Sequence, residues 1–236
     1  MDRRKDGRAR GICVSGTDTE VGKTYVTCLL GRRLRAEGTI IRPFKPVESG
    51  CAADATGQLV PADATALRDA TAPGLSIEDV CLYRLSAPLS PHLAARLEGV
   101  EIDPDRIRRA IQAGEQGADL VIVEGAGGIT VELREGCSFA HLAKDLGYPA
   151  LLIAENRLGI LNEVALNMYY LAGMGIPLLG VILNDRTTDI SSAMETNAAE
   201  LKRICGPSYL GRFGYSAPAI PDDVYRYFLG RVSSST

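Results

Sequence analysis

Nothing in this chain of 236 residues stays apolar for the roughly 20 positions that a membrane-spanning helix needs, so a soluble, cytoplasmic protein with no membrane partner is expected. No charge of one sign dominates either: 26 Lys and Arg stand against 29 Asp and Glu, a net charge of −3. That balance excludes a generally basic nucleic-acid binder and leaves small molecules as the expected ligands. The six cysteines, Cys13, Cys28, Cys51, Cys81, Cys137 and Cys205, show no CxxC or CxxH spacing. Several lie in apolar runs, which excludes a zinc or disulfide framework and reads as reduced, buried thiols. There is no internal repeat, low-complexity segment or linker. The opening MDRRKDGRAR is basic, but no apolar stretch or small-residue cleavage site follows it, so residues 1–10 read as a solvated tail and not as a signal peptide.

What is present is globular: 46% of the residues are hydrophobic, 23% are charged and 25 glycines are spread throughout. One α/β domain spanning residues 1–236 is expected. Short β-rich runs recur, GICVSG, TIIRPFKP, ADLVIVEG, YPALLIAE and IPLLGVILND. They lack period-two alternation, as strands covered on both faces do. Helical patterns separate them at 23–37, 104–115, 138–146, 160–173 and 189–204, and Gly38, Gly147 and Gly206 stand where C-terminal caps belong. The alternation predicts a doubly wound, mostly parallel sheet flanked by helices, with ligands at the C-terminal strand ends. The irregular stretch 48–100 is rich in Ala, Pro and Asp and reads as substrate-facing loops.

Residues 16–25, GTDTEVGKTY, nearly spell the loop that wraps nucleotide phosphates. The usual pattern is Gly, four residues, Gly, Lys, then Ser or Thr, which would place the first glycine at 17; here Thr17 stands there and Gly16 is one residue early. The context is nevertheless strand, loop, helix, so the backbone N–H groups would form an anion nest, Lys23 would reach the terminal phosphates and the Thr24 hydroxyl would bind Mg²⁺. An ordinary turn into a helix is the plainer alternative. Asp18 and Glu20 would repel triphosphate unless turned toward a second, amine-bearing substrate; alternatively they are acids at a helix start. A second lysine, Lys45 in RPFKPVESG, would emerge at the same sheet edge with Ser49 and could neutralise charge on a transferring phosphoryl group. Glu124 ends a very apolar strand, where a carboxylate needs a partner and a cation suits; with Asp63 and Thr24 it would make a Mg²⁺ shell, although Asp63 alone could be a helix cap.

GTDTEVGKT, KPVESGC, SPH at Ser90–His92, VEGAGG, NRLGILN at 156–162 and Asn184-Asp185, in this order, resemble the dethiobiotin synthetase family over roughly residues 11–186. The displaced glycine is that family's own variant. The resemblance implies a phosphate-loop NTPase fold and an ATP- and Mg²⁺-dependent ligase that joins CO₂ to 7,8-diaminononanoate and closes the ureido ring, with no biotin or other prosthetic group. It implies a route through a carbamate and a carbamic-phosphoric anhydride, in which positioning and charge stabilisation dominate and neither His92 nor His141 is required as a base. Carried over, Lys23 and Lys45 are catalytic; Glu20, Val21, Gly22, Lys23, Thr24, Asp63, Glu124, Gly125, Ala126, Gly127, Asn184 and Asp185 bind nucleotide; and Thr24, Asp63 and Glu124 hold the metal. Thr19, Ser49 and Ser90 would meet the diamine, with Arg157, Leu158, Gly159 and Asn162 receiving its carboxylate tail across a homodimer interface. Three departures stand out: ITVELREG follows GAGG, Glu163 replaces the family's His, and no Pro-containing adenine loop is recognisable in 210–220. Two other readings share the scaffold, a cobyrinate-type amidoligase and a partitioning ATPase. The first normally has a glutaminase domain and the second an early loop lysine, neither of which is seen in this chain.

Overall fold

The computed structural model describes residues 9–234. Of the expected tail, residues 1–8 lie outside that range, while Ala9 and Arg10 are buried and Arg10 already belongs to the first strand, which shortens the tail by two residues. The elements are, in order, β1 (Arg10–Gly16), α1 (Lys23–Ala36), β2 (Ile41–Phe44), β3 (Val47–Glu48), β4 (Ala52–Ala53), β5 (Leu59–Val60), α2 (Ala62–Thr71), β6 (Tyr83–Arg84), α3 (Pro91–Glu98) and α4 (Pro104–Gly114). They continue as β7 (Leu120–Gly128), β8 (Glu132–Arg134), β9 (Cys137–Ser138), α5 (Phe139–Leu146), β10 (Ala150–Glu155), α6 (Ile160–Met174), β11 (Leu178–Asn184), α7 (Ser192–Cys205), β12 (Tyr209–Phe213) and α8 (Asp222–Ser234).

Six strands form one parallel sheet in the order β12-β11-β10-β1-β7-β2. The centre of that sheet is β1, with Cys13 opposite Val123 on one side and Ala150 on the other. Every residue of β1 is buried, as expected for a strand covered on both faces. One face packs Val121, Val123, Phe139, Tyr148, Ile107 and Ile111 beneath α4 and α5. The opposite face packs Ile12, Val14, Ile122 and Ile153 against Val26 and Leu30 of α1 and against Val224 and Phe228 of α8. Neighbouring strands leave β1 in opposite directions, so a crevice opens beyond its C-terminal end, where α/β sheets bind ligands.

All five strand candidates and all five helical patterns appear. The edge strand β12 and the helix α8 were not anticipated, because their apolar residues are interrupted by Gly211, Arg212, Arg226 and Arg231 and read as polar until the sheet edge covers one side. The stretch 48–100 is less irregular than expected: β3 pairs with β6, β4 with β5, and α2 and α3 are helices. Among the described residues, no helix is long and apolar enough to cross a membrane.

Candidate active site

The phosphate loop joins β1 to α1, and its glycine placement has a steric cause. A Cβ at Gly16 would lie 2.5 Å from the Asp18 carbonyl oxygen and 2.8 Å from Val21 Cγ2, so this turn requires glycine at 16 and accepts Thr17 after it. Two residues of the loop have left-handed backbone, Glu20 (φ 59°) and Gly22 (φ 92°). At Gly22 a Cβ would meet Asn184 Nδ2 at 2.3 Å. That amide donates to the Val21 carbonyl at 2.9 Å, so the end of β11 braces the loop from behind. Val21 is wholly buried and, against expectation, does not line the cavity; it packs in the core beneath the loop.

Four cationic or acidic groups, Lys23, Lys45, Asp63 and Glu124, meet beyond the sheet edge. Lys45 follows β2, is 3% exposed, and its Nζ donates to Glu124 Oε1 at 2.9 Å, to the Gly125 carbonyl at 3.1 Å and to Asp63 Oδ2 at 3.3 Å. Burial works to lower its pKa, but Glu124 and then Asp63 outweigh that, and the net shift is upward. Glu124 is fully buried at the middle of β7, not at its end as expected, because the strand runs on to Gly128; its Oε1 also accepts the Thr24 hydroxyl at 2.6 Å, and its Oε2 has no hydrogen-bond partner. Lys23 Nζ folds back to the Asp18 carbonyl at 3.3 Å, and burial, then the neighbouring Lys45 charge, lower its pKa to about 8. A site with two buried ammonium groups and one unpartnered carboxylate oxygen is prepared for an anion and a hard cation together.

A cavity of about 880 Å³ opens from this cluster. Of the expected site residues, Thr19, Glu20, Gly22, Lys23, Thr24, Lys45, Ser49, Asp63, Ser90, Ala126 and Gly127 line it. Since α1 begins at Lys23 and has no acid in its first turn, Asp18 and Glu20 are loop residues and not helix-start acids; Glu20 faces the cavity, and Asp18 accepts its neighbour's amide and lies 3.7 Å from Arg157. Asp63 is the second residue of α2 and turns its carboxylate to Lys45. Ser90 is the N-cap residue of α3, its hydroxyl 3.4 Å from His92 Nδ1, and the His92 ring lies 3.7 Å from Glu132 of the atypical segment. His141 completes a capping box with Ser138 at the start of α5 and does not line the cavity.

One expectation needs correction. Asp185 does not face the cavity: its carboxylate is taken by Arg212 at 2.8–3.0 Å and by Asn156 Nδ2 at 2.7 Å, so it ties β11 to β12 and has no free oxygen for a base. Arg157 is paired with Glu163 at 2.7 Å, with Glu155 and Asp18 at 3.7 Å, and with Leu158, Gly159 and Asn162 it lies outside this chain's own cavity lining. Here the departure at Glu163 matters directly, since a carboxylate has replaced the family's imidazole beside that guanidinium.

The cavity also has walls that sequence reasoning missed: Tyr25, Glu48, Pro88, Leu89 and Arg186. Arg186 follows Asp185 directly, so its position was within reach of the motif. Tyr25 donates its hydroxyl to the Ala217 carbonyl, a pairing across 192 residues that no local pattern shows. Glu48 was in view within KPVES, and the missing signal lay elsewhere, in the proline that opens α2.

Sheet order, loop and buried lysines define a phosphate-loop nucleoside-triphosphate-binding α/β protein. Residues 10–219 match the family model described as an AAA domain. The fold is shared with a plasmid partition protein of Borrelia burgdorferi B31 bound to AMPPNP (TM-score 0.57, 8% identity, 97% of this chain and 100% of that one). It is also shared with the septum site-determining protein MinD of Pyrococcus horikoshii OT3 complexed with Mg-ADP (0.50, 18%, 96% and 90%). At such identities the likeness concerns the fold alone. The chain belongs to the ATP-dependent dethiobiotin synthetase family. It is 40% identical over 195 residues to the enzyme of Anaeromyxobacter dehalogenans strain 2CP-C, covering 83% of this chain and 85% of that one. To the Bacillus subtilis strain 168 enzyme it is 34% identical over 202 residues, 86% of each.

Proposed function

We propose that the protein is a single-domain, cytoplasmic ligase that uses ATP to carboxylate 7,8-diaminononanoate with CO₂ and close the ureido ring, releasing ADP and phosphate. The observation that carries this reading is Lys45 Nζ, held between Glu124 and Asp63 at the edge of the phosphate loop, with a cavity beyond it that is far larger than phosphate alone requires.

One amine of the substrate adds to CO₂, losing a proton, and becomes a carbamate. A carbamate oxygen then attacks the γ-phosphorus as ADP leaves, and the neighbouring amine attacks the carbamoyl carbon as phosphate leaves. Lys23 and the loop N–H groups hold the triphosphate, with the Gly125–Gly127 backbone closing around it and Asn184 bracing the loop from behind. Lys45 moves from Asp63 toward the carbamate and γ-phosphoryl oxygens and stabilises the charge that develops there. Glu20 and Thr19, with Ser49 and Ser90 opposite, orient the amines, so the chemistry is mainly positioning.

The residues present fit Mg²⁺: the buried, unpartnered Glu124 Oε2 and the Thr24 hydroxyl are hard oxygen donors, with the half-exposed Asp63 carboxylate adjoining through Lys45. Among the described residues no three His, Cys, Asp or Glu side chains group together as a metal site. When bound, Mg²⁺ would neutralise phosphate charge. The 157–162 segment lies outside this chain's cavity lining and is assigned to the substrate tail in a second copy's site. Exposed Leu166 (59%) and Tyr169 (78%), three residues apart on α6, with exposed Leu158 (81%) in the turn before it, support a homodimer seam there.

The test is phosphate release from ATP, Mg²⁺ and bicarbonate with and without 7,8-diaminononanoate, with mass detection of the cyclic urea. Release and ring formation that both need the diamine establish the activity; release indifferent to it, with no ring, overturns it.

A further inference from the structure

Helix α2 carries Asp63 but opens on Pro61, whose side chain cannot accept the orphaned N–H groups of a first turn, and no local side chain caps it. Glu48 does so from β3, 15 residues earlier. Its Oε1 accepts the Asp63 N–H at 3.0 Å and its Oε2 accepts the Ala64 N–H at 2.9 Å. These are the second and third residues of the helix, the N–H groups that a Ser or Asp at the cap position would take, and the carboxylate also meets the positive end of the helix dipole. Glu48 is only 7% exposed, so the bond is shielded from water, and it lies three residues from Lys45 on the same loop.

We propose that Glu48 is a positioning residue for the reaction: it docks the start of α2 onto the Lys45 loop and so sets the distance between the Asp63 carboxylate and the Lys45 ammonium. The inference rests on reading Lys45 and Asp63 as site residues. One carboxylate replaces a missing local cap and, in doing so, makes the metal-side acid and the phosphoryl-side lysine parts of one rigid unit. A local cap would hold α2 together without binding it to the lysine loop. Glu48 therefore differs from an ordinary cap in what it joins.

The test compares Glu48→Ala, Glu48→Gln and the double variant Glu48→Ala with Pro61→Ser, which supplies a local cap but no tether. Hydrogen exchange of the peptide spanning 62–71, in the absence of any ligand, should be faster in Glu48→Ala, by about tenfold for the loss of a cap of ordinary strength, and restored in the double variant. Mg²⁺-dependent binding of a fluorescent ATP analogue and the Mg²⁺ half-saturation of turnover should both weaken about tenfold in Glu48→Ala. Both should remain weakened in the double variant, because the helix is mended but not moored. Glu48→Gln, which keeps one carbonyl acceptor and must fold if the alanine variant does not, should lie between. Full recovery of Mg²⁺ dependence with Pro61→Ser would show a merely structural cap and overturn the proposal, as would unchanged exchange in Glu48→Ala. If instead wild-type turnover lacks diamine dependence while exchange behaves as described, the proposed function fails and the mooring of α2 stands.

Discussion

Replacing Lys45 by Met keeps most of the side-chain volume and removes only the ammonium. In the free protein that ammonium makes contacts at 2.9, 3.1 and 3.3 Å, and the group it leaves behind matters more than the contacts themselves. Glu124 is 0% exposed, retains only the Thr24 hydroxyl on Oε1, and has nothing on Oε2. Breaking a buried pair from one side costs about 3–5 kcal/mol. For a domain of this size, where each kcal/mol moves the midpoint by about 2–4 °C, that is a fall of ~6–20 °C. Asp63, half in water, adds little to this figure. The assay is thermal and urea unfolding of the free protein for Lys45→Met, Glu124→Gln and the double variant. Because the double variant leaves no unpaired charge, it should be more stable than Lys45→Met alone, giving a favourable coupling of about 1–3 kcal/mol. A Lys45→Met variant within ~1 kcal/mol of the parent, or a cycle that shows no coupling, would refute the view that these two groups hold each other in place before nucleotide arrives.

Three further outcomes can be checked directly. Gly16→Ala drives a Cβ into the Asp18 carbonyl at 2.5 Å, so the loop must shift; since overpacking costs about 1–3 kcal/mol, ATP-analogue affinity should fall about tenfold, and affinity within twofold of the parent would show the loop to be tolerant. Lys23 has a folded pKa of about 8 against an ordinary 10.5, so between those values the unfolded chain holds the extra proton. Stability from this group is therefore reduced below pH ~8 and regained as pH rises toward ~10.5. Triphosphate should restore the charge, and calorimetry at pH 8.5 in buffers of differing ionisation enthalpy should show proton uptake on ATP binding that Lys23→Met abolishes; equal heats across buffers contradict this. Asp185→Asn should cost about 1.5–3 kcal/mol, as the Arg212 pair loses its charge, while changing ATP affinity less than threefold; a large affinity loss would return Asp185 to the nucleotide.

The continuous apolar runs of β1, β7, β10 and β11 could be read without a structure, because a strand buried on both faces has to be apolar along its whole length, whatever covers it. The phosphate loop was equally readable: its function depends on backbone N–H groups at one strand-to-helix turn, and the glycines, Lys23 and Thr24 that shape it are consecutive. Even the early glycine has a local cause, the Asp18 carbonyl two residues on. Lys45, Glu124 and Asp63 could be named as charges in costly places, but only the parallel order β1-β7-β2 brings Lys45 to 2.9 Å from Glu124 across 79 residues. Tertiary structure alone gave Asp185 to Arg212, surrounded Arg157 with three acids, and brought Glu48 over the start of a helix that opens on proline. Each of these depends on which long side chain reaches a polar group first. That is a matter of distance in the folded chain, for which spacing along the sequence is no guide.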